Sequence, residues 1–141
     1  MSKIDFADCL YFSSARFTRL ITKISDQQFK RVGLSPTAAF ILMSLNDGDD
    51  VSPSQLADDL SLDRSTITRF LDKLEQRTLI TRTANGRSVI VTLTIDGKQL
   101  QPTLKQLWAD LNRSYQRLLT VGGEAQLRGV LNTAFEDARE K

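Results

Sequence analysis

The chain has 141 residues, 40% apolar and 26% charged, a composition that suits one compact domain and excludes a disordered or fibrous chain. Nineteen Lys and Arg against 17 Asp and Glu leave a formal charge of +2, so bulk charge selects no partner. With no His and a single Cys, Cys9, most zinc sites, every His-based catalytic triad and any disulfide within a subunit are excluded.

Residues 6 to 31 place Phe6, Leu10, Phe17, Leu20 and Ile24 at spacings of three, four or seven, the stripe of a long amphipathic helix. It is expected to end near Val32-Gly33, where glycine suits the left-handed C-terminal position. Ser35-Pro36 reads as an N-cap and first-turn proline, opening a mostly apolar helix through Phe40, Ile41, Leu42 and Leu45. Asn46-Asp47-Gly48 should stop it. Ser52-Pro53-Ser54 starts a short helix with Leu56, Ala57 and Leu60; Ser61-Leu62-Asp63 is the turn, and Asp63 caps a helix from Arg64 to about Arg77. Two β-rich stretches, Ile80 to Thr83 and Ser88 to Leu93, flank Ala84-Asn85-Gly86-Arg87, and Asn-Gly between such runs signals a hairpin.

Leu104, Trp108, Leu111, Tyr115 and Leu118 then alternate spacings of four and three, a coiled-coil-like seam on a helix that Pro102 should start or bend. Val121-Gly122-Gly123 should break it, and Leu127, Val130, Leu131, Ala134 and Ala138 give one face of a final helix. The fold class is therefore mainly α (α+β), a winged helix-turn-helix with N- and C-terminal helical dimerisation arms. One domain per subunit, 1–141, is expected, with residues 35–95 as the DNA-binding part and 1–34 and 96–141 as the helical dimerisation part.

The helix from Arg64 carries this reading towards function. Ile67, Phe70, Leu71 and Leu74 form the core stripe, and Ser65, Arg69 and Gln76 stand opposite, flanked by Thr66, Thr68 and Lys73. Small hydroxyls near the helix start let base edges approach, and longer cations follow, a pattern that suits the major groove. Arg69 can bond both guanine acceptors, whereas the hydroxyls hold phosphates. Residues 61–87 carry six cations against three acids, and residues 47–60 carry five acids and no cation. The basic side thus belongs to this helix and the hairpin. The expected DNA-binding set is Ser54, Arg64, Ser65, Thr66, Thr68, Arg69, Lys73, Arg82, Asn85 and Arg87. Asp72 is the misfit: it reads either as an orienting ion pair with Arg69 or Arg87, or as an exposed pair of little value.

The stretch Ser54-Gln55-Leu56-Ala57-Asp58-Asp59-Leu60 followed by Asp63-Arg64-Ser65-Thr66-Ile67-Thr68-Arg69 resembles the helix-turn-helix of the multiple-antibiotic-resistance regulator (MarR) family. So do Leu71-Asp72-Lys73-Leu74-Glu75, Leu79-Ile80 and Leu93-Thr94-Ile95-Asp96-Gly97. The resemblance implies a homodimeric transcription regulator, most often a repressor, on a pseudo-palindromic operator, released by a small phenolic or anionic effector or by oxidation. It also implies a wing entering the minor groove. That family's wing usually carries Asp-x-Arg on a longer hairpin; here Asn85-Gly86-Arg87 stands in its place, without the orienting carboxylate.

The arms suggest a dimer built from Phe6, Leu10, Phe17, Leu104, Trp108, Leu111, Tyr115, Leu131 and Phe135. Two-fold pairing would set the recognition helices about one DNA turn apart. Cys9 reads as a buried structural thiol, with a redox sensor as the alternative, because its nearby charges are Asp5 and Asp8. A ligand cleft, as the resemblance implies, would draw on Tyr11, Phe12, Arg16, Phe40 and Trp108, with Arg19 a further cation for an anionic effector. A winged-helix module that binds only protein is the competing function, distinguished by salt-insensitive association. No assembled base, metal cluster or Gly-rich phosphate loop supports an enzyme, and no cofactor is expected. No apolar run approaches the roughly 18 residues of a membrane span. Met1-Ser2-Lys3-Ile4-Asp5 lacks a secretory pattern, so a cytoplasmic protein is expected.

Overall fold

The structure, a computed structural model, describes residues 3–46 and 49–140. It divides into two compact units, Met1–Lys105 and Gln106–Lys141.

The first unit opens with a single 3-10 turn, Phe6–Asp8, in which Asp5 Oδ1 accepts from the Ala7 amide at 2.9 Å. Cys9 is extended (φ −101°, ψ 125°), and helix α1 runs from Leu10 to Phe29. The helix expected from residue 6 therefore starts later, because Asp5 caps its own short turn and Cys9 interrupts it. A 3-10 turn, Lys30–Val32, follows, and Gly33 takes the left-handed conformation (φ 70°). Ser35 caps α2 (Pro36–Met43) by accepting from the Ala38 amide at 3.2 Å. That helix stops at Met43, before the expected Asn46-Asp47-Gly48 signal, whose Asp47 and Gly48 lie outside the described residues.

Helix α3 (Pro53–Leu60) has a full capping box: Ser52 Oγ accepts from the Gln55 amide at 3.2 Å, and Gln55 Oε1 accepts from the Ser52 amide at 2.9 Å. Asp63 caps α4 (Arg64–Gln76), accepting from the Thr66 amide at 2.8 Å. Strands β1 (Ile80–Asn85) and β2 (Ser88–Leu93) pair antiparallel, Ile80 opposite Leu93 and Asn85 opposite Ser88. Asn85 is thus the last paired residue, and the turn is Gly86-Arg87 rather than Asn-Gly. Gly86 has φ 63°, the positive value a first-position glycine supplies in a II′-like turn. Val51, which no sequence signal marked, adds a bridge to β2 through the Val91 amide at 2.8 Å.

Helix α2 packs on α1 and α4, α3 on α4 and β2, and α4 on β1. Phe29, Ile41, Leu42, Leu56, Ile67, Leu71, Leu74, Ile80 and Val91 are fully buried between them. Burial of such side chains contributes about 1.5–3 kcal/mol each, which makes this winged unit a real core and holds α4 by one face.

Helix α4 ends in a Schellman motif: the Leu79 amide reaches Leu74 O at 3.0 Å and the Thr78 amide reaches Glu75 O at 2.9 Å. Thr78 sits at its left-handed position with φ 58°, where glycine is usual. Helix α5 (Ile95–Leu119) begins right after the wing. Thr94 Oγ donates to Thr78 O at 2.6 Å and accepts from the Gly97 amide at 3.1 Å. Pro102 is therefore inside α5 and does not start it; its ring only removes the backbone donor for the Lys98 carbonyl.

The expected seam divides. Leu104 and Leu111 are buried within the chain, as is Leu107, so these two are core rather than dimer surface. Trp108 and Leu118 stay about half exposed. In the second unit α5 ends at Leu119, and the next residue, Thr120 (φ 66°, ψ 162°), accepts through Oγ1 from the Gly123 amide at 3.0 Å to cap α6 (Val121–Arg139). Thr120 is the break, and Gly122 and Gly123 belong to the first turn of α6. No α6 residue is buried, and Val130, Leu131 and Phe135 are exposed.

Candidate nucleic-acid interface

The two faces of α4 are as its periodicity requires. Ile67, Leu71 and Leu74 are buried and Phe70 is half-buried, while Ser65, Thr68, Arg69, Asp72, Lys73 and Gln76 are exposed. The first turn is tightly organised by Asp63. Bonds from the Thr66 hydroxyl, the Thr66 amide and the Ser65 hydroxyl hold its carboxyl below the usual range, so it stays ionised at the positive end of the helix. Arg64 Nη1 donates to Ser54 Oγ at 2.7 Å, joining the starts of α3 and α4. Arg69 Nη2 lies 3.3 Å from Thr66 Oγ1, a weak bond that a base or phosphate acceptor can replace. Ser54, Arg64, Ser65, Thr66, Thr68, Arg69 and Lys73 therefore fall on the first turn of α3 and along α4 as expected.

The hairpin side differs from expectation. Asp72 pairs with neither Arg69 nor Arg87. Its partner is Arg82, whose Nη2 is 2.7 Å from Asp72 Oδ1 and 3.0 Å from Glu75 Oε1. The Arg82 amide also donates to Glu75 Oε2 at 3.1 Å. Asp72 and Glu75, three residues apart, share the flank of α4 that meets β1, whereas Arg87 lies out at the turn. The bonds from Arg82 hold the Glu75 carboxyl below its ordinary value, and Glu75 followed by Asp72 pushes the Arg82 guanidinium up. Arg82 is thus a clamp between wing and helix and leaves the set of free phosphate donors. Glu75 was missed; the signal was a second acid one turn from the misfit. Asn85 and Arg87 are both exposed at the end of the hairpin.

The remaining expected residues do not form one pocket. Phe12 lies under the Arg16 guanidinium, 4.9 Å from ring centre, and Phe40 meets Phe29 edge-on at 6.1 Å. Phe12 and Phe29 stand at opposite ends of α1, ~25 Å apart at about 1.5 Å per residue, so Phe12 and Phe40 cannot line one cavity within a subunit. Tyr11 is exposed, and Arg19 borders a shallow depression with Thr22, Lys23, Asp26 and Lys30. Cys9 is exposed rather than buried, since it forms the link between the first turn and α1. Phe6 and Leu10 are exposed, and Phe17 and Tyr115 half-buried. Among the described residues no cluster of His, Cys, Asp or Glu could hold a metal, and no helix is long and apolar enough to cross a membrane.

The MarR family model matches residues 34–89, from just before α2 into β2. The chain is 30% identical over 101 residues to the HTH-type transcriptional regulator SarZ of Staphylococcus epidermidis, covering 70% of this chain. The match takes in 66% of that relative, just under two thirds of its length. It is 28% identical over 137 residues to the organic hydroperoxide resistance transcriptional regulator of Bacillus subtilis, covering 94% of this chain and 88% of that one. Over its helix-turn-helix and hairpin the chain is similar in sequence to the MarR family. A point mutant of MarR from Escherichia coli, solved in complex with operator DNA, shares its fold with a TM-score of 0.78 at 22% identity, covering 94% and 99% of the two chains.

Proposed function

We propose that this chain is a MarR-family, sequence-specific DNA-binding transcriptional regulator, acting as a homodimeric repressor on a pseudo-palindromic operator. The observation that carries the reading is the outer face of α4: exposed hydroxyls, Arg69 and Lys73 on a helix held by a buried stripe and an Asp63 cap. In this reading Arg69 reads a base, Arg64, Ser54, Ser65, Thr66, Thr68 and Lys73 hold phosphates, and Asn85 and Arg87 approach the minor groove. Residues 35–95 serve as the DNA-binding part, and 1–34 and 96–141 as the dimerisation part. Exposed Phe6, Leu10, Trp108, Leu131 and Phe135 supply apolar area for that pairing. The chain works by binding rather than catalysis, in the cytoplasm, with a small aromatic or anionic effector as its release signal.

Selection of bound sequences from random duplex DNA tests this. Arg69→Ala relaxes one base position per half-site, and Arg87→Ala weakens all sites alike; no enrichment of any sequence refutes it. Exposure of Cys9 favours a second reading, release by oxidation. The Bacillus subtilis relative is named for organic hydroperoxide resistance. Mild peroxide then abolishes operator binding by the parent chain and leaves Cys9→Ser unaffected; equal responses exclude it.

A further inference from the structure

Helix α4 is braced on one flank by the Arg82 clamp, and the opposite flank carries a second cation with two definite partners. Arg77, the C-cap of α4, donates from Nη1 to Gly33 O at 2.7 Å and from Nη2 to Val32 O at 3.3 Å. Those carbonyls close the end of α1, where Gly33 turns the chain with φ 70° before α2. A Cβ at Gly33 would lie 3.6 Å from Arg77 Nη1, so the guanidinium is seated directly against that backbone. With Arg69 taken as the outward direction, about 100° per residue puts Asp72 and Glu75 about 60° and 120° to one side. Arg77 then falls about 80° to the other. The recognition helix is therefore tied on both flanks, to the wing and to the end of α1.

We propose that Arg77 is a positioning residue: its bonds to the end of α1 fix the tilt of α4, and so the separation at which two recognition helices meet DNA. The proposal rests on α4 being the DNA-reading helix of a dimer. A helix from Arg64 to Gln76 is about 18 Å long and Arg69 lies about 12 Å from Arg77, so a tilt of about 5° at the C-terminal brace moves Arg69 by about 1.0 Å and the first turn by about 1.6 Å. That is enough to break hydrogen bonds whose useful range spans a few tenths of an ångström. Arg77 also sits in the basic stretch that would otherwise count as phosphate contacts, and the two roles differ in what they do to salt dependence.

The test compares the full chain with Arg77→Gln, Arg77→Lys and, as a phosphate-contact control, Lys73→Gln. In both Arg77 variants the amides of Gly33 and Leu34, bonded to Lys30 O and Phe29 O, exchange about 3- to 10-fold faster, the range of one lost hydrogen bond. Operator affinity falls by a similar factor for Arg77→Gln, discrimination between operators whose half-site spacing differs by one base pair weakens, and the salt slope stays within error of the parent. Lys73→Gln instead lowers the slope by about one per subunit with spacing preference intact. A slope that falls by about one per subunit in Arg77→Gln and is restored in Arg77→Lys makes Arg77 a phosphate contact and overturns the proposal. Unchanged exchange at Gly33 and Leu34 overturns it as well. If the parent binds no operator, the regulator reading fails, and the exchange data alone still decide the brace.

Discussion

Thr78 occupies the left-handed joint between α4 and β1 with φ 58°, and Thr78→Gly should make the protein more stable. For an L-residue with a Cβ this conformation costs roughly 1–2 kcal/mol, and β-branching places threonine at the upper end. Glycine removes that cost but adds roughly 0.5–1 kcal/mol of unfolded-chain entropy. The bond from Thr78 Oγ1 to Arg77 O, at 2.6 Å on the surface, is replaced by water. The net expectation is a gain of about 1 kcal/mol, a rise of ~2–5 °C in the thermal midpoint for a chain of this size. The assay is denaturant and thermal unfolding at one fixed protein concentration, because any self-association makes the midpoint concentration-dependent. The Schellman bonds from Thr78 and Leu79 use only backbone atoms, so operator affinity should stay within about twofold. Thr78→Ala keeps a Cβ and should recover less than half the gain. If Thr78→Gly lowers the midpoint, or matches Thr78→Ala, the strain argument is wrong.

Glu75→Gln and Asp72→Asn both weaken the hold on Arg82, and Glu75→Gln should cost more operator affinity, about 3- to 10-fold by fluorescence anisotropy, because Glu75 also receives the Arg82 amide. Unchanged affinity and sequence preference in both would remove the wing clamp's role. Gly97→Ala should destabilise by about 1–3 kcal/mol, although alanine is the better helix former, because a Cβ there overlaps Leu79 O and crowds Leu93; a raised unfolding midpoint would contradict the close approach. Asp63 and Glu75 are both depressed in the folded state, so the unfolded chain binds more protons in acid. Their stabilisation is present above the ordinary carboxylate range and is lost as the pH falls below about 4, and Asp63→Asn should flatten that part of the stability profile.

Local chemistry was legible where the cause lay within a few residues. Ser35 and Asp63 cap the helices they were read to cap, Ser52 starts α3 as expected while Gln55 completes its capping box unannounced, and the buried stripe of α4 follows its periodicity. Partners that only tertiary packing brings together were not legible. Asp72 was visible as a misfit, yet its partner depends on how β1 lies along α4, and Glu75 became visible only through that pairing. Periodicity placed Leu104, Trp108 and Leu111 on one seam but carried no information on which members face the inside of the chain. Pro102 was read as the start or a bend of this helix because its cost is local, whereas it lies inside α5, which absorbs one missing donor within 25 residues. Thr78 and Thr120 adopt backbone angles that their residue type disfavours, so propensity pointed to Gly122-Gly123 instead. Cys9 was expected to be a buried structural thiol because its neighbours Asp5 and Asp8 offer no positive charge for a thiolate, and a linking residue between two turns has nothing to cover it.

The central claim is that two copies of α4 and its flanking cations neutralise DNA phosphates together. Titrating operator affinity against salt concentration tests it most directly. With about 8 phosphates neutralised per dimer, log K should fall against log salt with a slope near −7. A slope near zero, with binding otherwise intact, would contradict the account.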